Sequence, residues 1–398
     1  MFIEFADDLL KCVIEEKLSD KEIIVLERLA SSYQQGFHVI SGSVPLLNNL
    51  AKNSKLSVSQ QESYKKASNK RMNYLWMKSL PYCIIVSNSV TGGIKYCSKN
   101  GLTRIYVSLE KMYELCINQR VKFVTESYKD YDFYTSLAKY MNINYFNRSV
   151  KVELSRLPGG GRDTAEVFCG GTSEKTICLV IADSDKKSEK SKFGETYLKI
   201  EDIIKNLKLS KEAIFEAKHL EVREKENLIP PSIYKITSNS INKSEELEDL
   251  EMICLSGEFK KIYYYLDIKD GVKKKEFLEL IKESKICLDK LNEEVKFKKF
   301  LCSDLDNKLD EELILCGIGE LVDNVEKEIL GNKLEDKLEE LNSKALKHNI
   351  NQSSFDKLKR KIDKKNKAFQ LLEGIFLEEW IDITNLVTSF GCAPLSKL

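Results

Sequence analysis

The two stretches 121-VKFVTESYKDYDFY-134 and 176-TICLVIADSDKK-187 decide the fold class of this chain. Each begins with a short apolar run, Val121–Thr125 in the first and Thr176–Ala182 in the second. Apolar runs of four to eight residues that are rich in Val, Ile and Cys are typical of buried parallel strands. Acidic residues follow each run. We therefore predict two parallel strands with carboxylates at their C-terminal ends.

Four acidic side chains follow these strands: Glu126 and Asp130 after the first, and Asp183 and Asp185 after the second. Open α/β sheets bind ligands in a crevice at the carboxyl ends of their strands. Carboxylates that share such a crevice repel one another unless a cation lies between them. Ligand sets made only of oxygen suit Mg²⁺ or Mn²⁺. The pattern therefore predicts a divalent metal site at this edge of the sheet.

These residues resemble the Toprim signature, in which one strand ends in Glu and a later strand ends in Asp-x-Asp. Glu126 matches the Glu, and Asp183-Ser184-Asp185 matches the Asp-x-Asp. The nuclease branch of this family, which includes OLD-type enzymes and related bacterial anti-phage effectors, often reads Glu-Gly-x-x-Asp. That reading places Asp130 on the last acid of the motif. Two positions depart from the family: Ser127 replaces the usual Gly, and Lys187 stands where the topoisomerase branch has a third acid.

Two further segments resemble a defence-associated subgroup of the family. They are LPGGGRDTAEVF (Leu157–Phe168) and VREKENLIP (Val222–Pro230). The second resembles an Arg-Glu-x-Glu-Asn motif and adds an acid at Glu226. The resemblance covers roughly residues 119 to 235.

The resemblance implies a metal-dependent nuclease with named roles for five acids. Asp183 and Asp185 would hold one or two Mg²⁺ or Mn²⁺ ions, and Glu126 would act as general acid or base or as a further ligand. Asp130 and Glu226 would complete the metal site. Each acid also has a structural interpretation: a turn acid after a strand for the Asp pair, a helix cap for Glu126 or Asp130, and an ion pair with a nearby base for Glu226.

The glycines Gly159, Gly160 and Gly161 form a predicted loop that leads into a helix beginning near Asp163. A glycine-rich turn before a helix can direct backbone N–H groups toward a phosphate. A tight turn is the commoner reason for such glycines. Both interpretations stay open at the level of sequence.

The predicted fold class is α/β, with a Toprim-like parallel sheet flanked by helices. We predict a helical N-terminal region over residues 1–80. An α/β catalytic domain is expected over residues 81–235, with its core at 119–235. A mostly α-helical C-terminal domain is expected over residues 236–398.

The pattern along the chain supports this division. Phe2, Phe5 and Leu9 recur at helical spacing in the N-terminal region. Within the core, the segments 150–156 and 217–222 are predicted to be further strands, separated by helices. Alternating strands and helices predict a parallel sheet with right-handed crossovers.

Charge is distributed unevenly although the net charge is only +1. Residues 51–104 contain ten basic residues and one acidic residue, whereas solvated helix faces usually mix the two signs. Basic side chains neutralise phosphates, and aromatic faces stack on nucleobases. We therefore predict that this segment binds nucleic acid, or else that it is a solvated surface over an aromatic core. Its predicted contact residues are Lys66, Lys70 and Arg71, and its interleaved aromatic residues are Tyr64, Tyr74, Trp76, Tyr82 and Tyr96.

Two more predicted nucleic-acid contacts follow the Asp pair. Lys186 and Lys187 lie next to the expected position of the scissile bond, where they would contact the backbone. The alternative is that they only solvate a loop.

Composition narrows the class of protein. No apolar run has the length of a membrane span, so no membrane partner is expected. Eleven Cys without a CxxC pair and only three His argue against a disulfide scaffold or a zinc site, and indicate a reducing, cytoplasmic environment. No P-loop is present. Many OLD-type nucleases carry an ATPase in the same chain. Here a separate ATPase or sensor protein would supply that activity, or it is not used. A homo-oligomer is a further partner that the sequence allows.

The sequence thus predicts a Mg²⁺-dependent endonuclease that acts on nucleic acid, with DNA favoured, in bacterial anti-phage defence. One alternative is a Toprim effector that cleaves RNA, including tRNA. The other is a nucleic-acid-binding subunit of a defence complex that no longer cleaves.

Overall fold

The computed structural model describes residues 1–90, 93–237, 240–257, 259–294, 305, 307–331, 333–345 and 352–394. The chain forms two compact units. The first contains Met1–Ala182, Glu195–Lys218 and Ile381–Leu398, and the second contains Asp183–Gly194 and His219–Trp380. Each unit therefore consists of segments that are distant in sequence.

A five-stranded sheet occupies the N-terminal part of the first unit, with the strand order β2-β1-β3-β5-β4. Its strands are β1 Phe2–Phe5, β2 Val39–Ser41, β3 Tyr82–Val86, β4 Lys95–Lys99 and β5 Leu102–Val107. All neighbours are parallel except β4 and β5, which form an antiparallel hairpin. Asn100 and Gly101 turn this hairpin in left-handed conformations, with φ of 53° and 74°. Two left-handed residues match the twist of the flanking strands.

The prediction of an all-helical region over residues 1–80 is wrong at its beginning and near residue 40. Phe2–Phe5 is a strand in the interior of the sheet, with β2 on one side and β3 on the other. Phe2 and Ile3 are fully buried and Phe5 is 2% exposed. A short apolar run fits both helical and strand periodicity, and its pairing with two distant strands decides the outcome.

Helices follow in the rest of this region, as predicted. They are α1 Leu9–Ile14, α2 Asp20–Gln35, α3 Val44–Leu50, α4 Val58–Lys70 and α5 Leu109–Tyr113, with a 3₁₀ segment at Arg71–Ser79. The basic helix α4 begins at a capping box, in which the Ser57 hydroxyl accepts from the Gln60 N–H and the Gln60 side chain accepts from the Ser57 N–H. Such a box satisfies two donors that a helix end otherwise leaves free.

A second, four-stranded sheet in the first unit has the order β10-β9-β6-β8. Its strands are β6 Lys122–Thr125, β8 Ser155–Pro158, β9 Cys178–Ala182 and β10 Phe215–His219, and its helices are α6 Tyr128–Asn144, α7 Thr164–Ser173 and α8 Glu195–Ser210. Both β8 and β9 run parallel to β6. The predicted alternation of strands and helices, and with it the α/β fold class, is confirmed.

The segment predicted as one strand over residues 150–156 is divided in two. β7 Lys151–Val152 pairs antiparallel with β13 Cys392–Ala393, whereas β8 begins at Ser155 and joins the four-stranded sheet. The exchange occurs between Glu153, whose N–H donates to Gly391 O, and Ser155, whose N–H donates to Val121 O. A change of partner strand of this kind leaves no mark in the local sequence.

The second unit is mostly helical, as predicted for the C-terminal half. Its elements are α9 Pro231–Tyr234, α10 Ser244–Leu255, α11 Lys260–Tyr263, α12 Lys274–Glu283, α13 Leu288–Glu294, α14 Val322–Asn324, α15 Lys333–Ala345, α16 Gln352–Gln370 and α17 Gly374–Gly391, with strands β11 Gly271–Lys273 and β12 Leu313–Cys316 paired antiparallel. The last turns of α17 belong to the first unit. None of the helices in the described ranges is both long and apolar enough to cross a bilayer.

The division into units does not follow the predicted boundary after residue 235. Residues 219–235 group with the helical unit, and so does the loop 183–194. Hydrogen bonds account for this grouping. The Asn227 side chain donates to the Tyr263 and Leu266 carbonyls, and the Trp380 indole donates to the Leu228 carbonyl.

Glu216 on β10 is a half-buried carboxyl group of the first unit. Its Oε1 accepts from the Ala217 N–H at 3.1 Å, and the Tyr82 hydroxyl lies close enough to interact with it. Burial raises the pKa of this carboxyl above its ordinary value, and the hydrogen bonds and the charge of Lys208 oppose the rise only in part. The folded state therefore retains this proton to a higher pH than the unfolded chain does.

We expect Glu216 to lower the stability of the protein as the pH rises. Folding takes up a proton between the unfolded pKa of 4.5 and the raised folded pKa, so the free energy of unfolding falls through that window. The Glu216→Gln variant cannot titrate at this position. Denaturant unfolding of both proteins between about pH 5 and pH 8 should show the variant gaining stability relative to the wild type as the pH rises. A constant difference would contradict this prediction.

Candidate metal and nucleic-acid site

The C-terminal ends of β6 and β9 lie side by side in the four-stranded sheet. Their parallel register pairs Phe123 with Leu179 and Val124 with Val180. The chain passes from β6 to β8 on one side, whereas β9 lies on the other side, so the strand order reverses between β6 and β9. Ligands bind open α/β sheets at such a reversal, outside the carboxyl ends of the strands. Glu126 follows β6 directly and Asp183 follows β9 directly.

The three glycines hold the backbone at the end of β6. The Gly159 N–H donates to the Thr125 carbonyl at 2.7 Å, and the Gly160 and Gly161 N–H groups donate to the Glu126 carbonyl at 3.0 and 3.2 Å. All three donors thus already have acceptors in the protein. The predicted phosphate loop is therefore not supported at these N–H groups, and the tight-turn interpretation accounts for the glycines.

The requirement for glycine is steric at all three positions. A Cβ on Gly159 would lie 2.6 Å from Thr164 Cβ, and Gly160 and Gly161 adopt φ of 70° and 72°. The left-handed region is costly for residues with a side chain. The loop thus fixes the backbone of Glu126, the residue predicted to be catalytic.

Asp130 belongs to the capping box of α6. Its Oδ2 accepts from the Ser127 N–H at 2.7 Å, and the Ser127 hydroxyl accepts from the Asp130 N–H at 3.3 Å. The prediction that Asp130 is the N-cap of a helix beginning at Tyr131 is therefore wrong in detail: the helix begins at Tyr128, Ser127 is the cap residue, and Asp130 is the third helical residue and completes the capping box. Ser127, the departure from the family pattern, has a structural role at this helix start. The prediction that Asp130 is a metal ligand has no support in these contacts.

Within the second unit, the Asp-x-Asp loop is attached to the segment that resembles Arg-Glu-x-Glu-Asn. The Ser184 and Asp185 N–H groups donate to the Arg223 carbonyl at 3.1 and 3.0 Å, and the Ser184 hydroxyl donates to the Val222 carbonyl. Asp183 Oδ1 accepts from the Lys225 N–H at 3.2 Å. The structure thus brings together two segments that lie about 40 residues apart in sequence.

Asp185 adopts a left-handed conformation with φ of 50°. Burial raises the pKa of its carboxyl, and the positive charges of Arg223 and Lys269 oppose that rise. Gly194 packs directly on this side chain, and its N–H donates to the Ser184 carbonyl at 2.8 Å. A Cβ at residue 194 would overlap the Asp185 carboxylate and lie 2.5 Å from Asp185 Cβ.

The Gly194→Ala variant should lose activity without losing any acidic residue. The added methyl group cannot share the space of the Asp185 side chain, so the carboxylate must move. A displacement of about 1 Å can cost a site about 10²-fold in rate. We expect a loss of that order in kcat for nucleic-acid cleavage, with the thermal midpoint of unfolding lowered only slightly. Full activity in this variant would show that the position of Asp185 does not matter.

The segment after β10 supplies a buried acidic pair. Glu226 is 3% exposed, and its Oε2 has no hydrogen-bond partner among the described residues. Lys225 Nζ lies 3.6 Å from Glu226 Oε1, so the ion-pair interpretation of Glu226 applies, with its sequence neighbour as the base. Burial raises the pKa of Glu224 to about 7, with the charge of Glu226 as the next cause. A buried carboxylate oxygen without a donor costs free energy unless a cation or proton approaches it.

Lys269 and Asp267 are members of this cluster that the sequence did not indicate. Burial lowers the pKa of Lys269, but the charges of Glu226 and Glu224 outweigh burial, so the net shift is upward. Lys269 Nζ lies 3.9 Å from Glu224 Oε2. Asp267 Oδ2 accepts from the Arg223 guanidinium at 2.7 Å. Neither residue stands in a motif, and both lie more than 40 residues after the segment that they contact.

The acids of this cluster meet some of the requirements of a divalent cation. Their donors are oxygen atoms only, which suits Mg²⁺ or Mn²⁺. The unpaired Glu226 Oε2 and the raised pKa of Glu224 are the features that a bound cation would relieve. Among the described residues, no three Asp, Glu, His or Cys side chains lie close enough together to form a ready ligand set. The donor chemistry therefore fits the metal, and Lys269 supplies the compensating charge.

The predicted nucleic-acid contacts differ in exposure. Lys66 is exposed, whereas Lys70 and Arg71 are half-buried at the C-terminal end of α4. Lys186 lies 4.3 Å from the centre of the Phe193 ring, and Lys187 is exposed with its Nζ 3.7 Å from Glu276 Oε1. These two lysines thus already have partners in the second unit.

The aromatic residues between the basic ones are mainly structural. Tyr64 is fully buried and its hydroxyl donates to the Leu26 carbonyl, and Tyr74 is 2% exposed. Trp76 packs on the core beside Phe2, with the Arg148 guanidinium 5.1 Å from its ring centre. The prediction that these three stack on nucleobases is not supported, and the alternative of a charged surface over an aromatic core holds for them.

Comparison of the chain with protein-family models, with curated proteins and with solved structures finds no match.

Proposed function

We propose that the protein is a Toprim-type nuclease that uses Mg²⁺ or Mn²⁺ to hydrolyse phosphodiester bonds in nucleic acid, with DNA as the favoured substrate. The observation that carries this proposal is the parallel pairing of β6 with β9 at the reversal of strand order. Each of these strands is followed directly by an acid of the signature, Glu126 or Asp183. The proposed setting, bacterial anti-phage defence in the cytoplasm, is supported by the resemblance alone.

The proposed roles follow from the surroundings of each acid. Asp183 and Asp185 would hold the cation, because both lie on the loop after β9 and both carboxylates are oxygen donors. The bound cation would supply Lewis acidity and a nucleophilic water at neutral pH. Glu126 would transfer a proton to or from the reacting oxygens. Asp130 would act as a positioning residue, because its capping box fixes the start of the helix that follows Glu126.

Glu226 would act on the site through its negative charge, which affects Glu224 and Lys269. Its buried carboxylate faces Glu224, and the raised pKa of Glu224 reflects this proximity. Lys269 offsets the negative charge of both. We propose that Glu226 orients Lys269 and the motif segment, and so tunes the affinity for the cation.

The proposal is tested by a cleavage assay with purified protein. Supercoiled plasmid, single-stranded DNA and total tRNA are incubated with Mg²⁺, with Mn²⁺ and with EDTA. Cleavage of either DNA that depends on the divalent cation is the expected result. Cleavage of tRNA alone would change the proposed substrate to RNA. Cleavage that persists in EDTA would exclude the proposed metal mechanism.

A second candidate function is binding of nucleic acid without cleavage, as a subunit of a larger complex. The observation that favours it is Lys269, whose ammonium compensates the charge of the acidic cluster without any cation. Binding to DNA in a mobility-shift assay with no cleavage under any metal would support this candidate. A partner protein, such as a separate ATPase or sensor, would then supply the activity.

Binding is expected to depend steeply on salt if residues 51–104 contact a phosphate backbone. The logarithm of the binding constant should fall with the logarithm of the salt concentration by about 0.7 to 0.9 for each phosphate neutralised. Changing Lys66, Lys70 and Arg71 together to Glu should flatten this slope and weaken binding to all sequences alike. Fluorescence anisotropy with a labelled oligonucleotide at several salt concentrations measures both effects.

The matched control changes Lys11, Lys17 and Lys21 to Glu. These residues lie in the same unit and alter the net charge equally, but they are outside the basic segment. If the control flattens the slope as much as the test variant does, the effect is due to net charge. An unchanged slope in the test variant, with an unchanged circular dichroism spectrum, would exclude this surface.

A further inference from the structure

A cavity of about 510 Å³ lies within the first unit, and none of the five acids of the proposed metal site lines it. Strands β3, β4, β5 and β10 and helix α8 line it. Its volume is within the range of about 300 to 1,000 Å³ that small-molecule sites occupy. None of its lining residues belongs to the Toprim-like motifs. The cavity is therefore a candidate for a second, independent ligand.

One wall of the cavity is aromatic and rigid. Tyr96 and Phe215 lie with their ring centres 6.2 Å apart. The Tyr96 hydroxyl donates to the Ala213 carbonyl and accepts from the Phe215 N–H, both at 3.1 Å. These two hydrogen bonds connect β4 of one sheet to β10 of the other and fix the Tyr96 ring. A flat ligand ring could pack on this wall without a further loss of side-chain freedom.

A second wall is polar and half-buried. It contains the carboxyl of Glu216 and the hydroxyls of Tyr82 and Thr103. Tyr82 lies close enough to Glu216 and to Thr103 to interact with both. These donors and acceptors can pair with the polar edge of a heterocyclic base.

Three lysines complete the lining: Lys95, Lys208 and Lys211. Within the described part of the chain, none of them forms an ion pair with an acidic side chain. The acidic side chain that shares the cavity is Glu216, which lies close enough to Lys208 for the two charges to interact. Three ammonium groups against one half-buried carboxyl give the cavity a positive excess that favours a multiply charged anion.

We propose that this cavity binds a mononucleotide, with the base between the aromatic wall and the Glu216–Tyr82 pair and the phosphates against Lys95, Lys208 and Lys211. A flat ring, a polar ring edge and a compact anion are the three chemical features that the lining complements. The ligand is a small molecule that is separate from the nucleic-acid substrate proposed above. The cavity shares Lys95, Tyr82 and Tyr96 with the basic segment 51–104. The inference can still be tested separately from the nuclease activity, because none of the proposed metal-binding acids lines the cavity, and neither do Lys66, Lys70 and Arg71.

The test is isothermal titration calorimetry on the full-length protein with purine and pyrimidine nucleoside triphosphates. The matching nucleosides and inorganic pyrophosphate serve as partial ligands. We expect at least one triphosphate to bind at least about 10-fold more tightly than its nucleoside and than pyrophosphate, because each part supplies separate contacts. Equal affinity for pyrophosphate and for every triphosphate would reduce the site to a simple anion site and overturn the proposal.

Variants assign the binding to this cavity. The Lys95→Ala/Lys208→Ala double variant should weaken triphosphate binding at least about 10-fold, because charge-assisted contacts are lost. The control variant Lys199→Ala/Lys205→Ala removes two lysines from α8 that pair with Glu195 and Asp202 and do not line the cavity. It should bind as the wild type does. Unchanged binding in the double variant, or no binding of any triphosphate by the folded wild type at millimolar concentration, would overturn the proposal.

A further variant separates this site from the nuclease site. Asp183→Asn should retain triphosphate binding even if it abolishes cleavage, since Asp183 is not in the cavity. Loss of nucleotide binding in Asp183→Asn would show that nucleotides bind at the acidic cluster, and would also overturn the proposal.

Discussion

Replacing Asp183 or Asp185 by Asn is expected to abolish metal-dependent cleavage while the protein stays folded. Each change removes the charge of an oxygen donor that we assign to the cation. Loss of a residue that only supports a metal ligand already costs about 10- to 100-fold, so loss of a ligand should cost at least about 10²-fold. The measurement is the rate of plasmid cleavage at saturating Mg²⁺.

Two controls make this result specific. Circular dichroism and thermal unfolding should show an intact fold, because Asn can still accept the hydrogen bond that the Lys225 N–H donates to Asp183. The Asp202→Asn variant neutralises an exposed acid on α8 and should cleave normally. Wild-type activity in both Asp183→Asn and Asp185→Asn would remove this pair from the mechanism.

Replacing Glu126 by Gln is expected to lower turnover at least about 10²-fold while binding of nucleic acid survives. Gln retains the size and hydrogen bonding of Glu but cannot take up a proton, and a lost general acid or base typically costs about 10² to 10⁴-fold. The backbone at residue 126 should not move, because Gly160 and Gly161 hold its carbonyl. Single-turnover cleavage rates and anisotropy binding constants separate the two effects.

One result of the Glu126→Gln experiment would contradict the proposed proton-transfer role. If binding disappears and the residual activity per bound substrate stays normal, Glu126 has a structural role only. The Asp130→Ala variant is the useful comparison, because it removes the side-chain acceptor of the α6 capping box without changing Glu126. We expect it to lose stability, by about 1 kcal/mol as is typical for a helix cap, and to retain more activity than Glu126→Gln does.

The strands β6 and β9, which precede the proposed site acids, could be predicted from sequence because buried strands have a mostly apolar local composition. β9 is a continuous apolar run, β6 carries buried Phe123 and Val124 at its centre, an acid follows each, and both occur where they were expected. β1 is also short and mostly apolar, but its spacing fits a helix as well. Only pairing with two strands that follow far along the chain makes it a strand, and no local pattern encodes such a pairing.

Local sequence was also an incomplete guide to the charged residues of the site. Ser127 and Asp130 are three positions apart, which is the spacing of a capping box and is visible in the sequence. The resemblance to the family instead assigned a metal role to Asp130. Lys269 gave no sequence signal, because one lysine among many becomes part of a site only when the fold places it there. Its partner Glu224 lies 45 residues earlier in the chain. Charges brought together by tertiary structure are therefore the part of the site that sequence reasoning misses.

The interleaved order of the two units has a consequence for dissecting the protein genetically. A fragment ending at residue 235 would include every proposed catalytic acid, yet it would lack the Tyr263 and Leu266 carbonyls that anchor Asn227. It would also lack Cys392–Ala393, the partner of Lys151–Val152. During synthesis, that pairing must wait until about 240 further residues have left the ribosome. We therefore expect nuclease function to tolerate internal point changes far better than truncation from the C-terminal side.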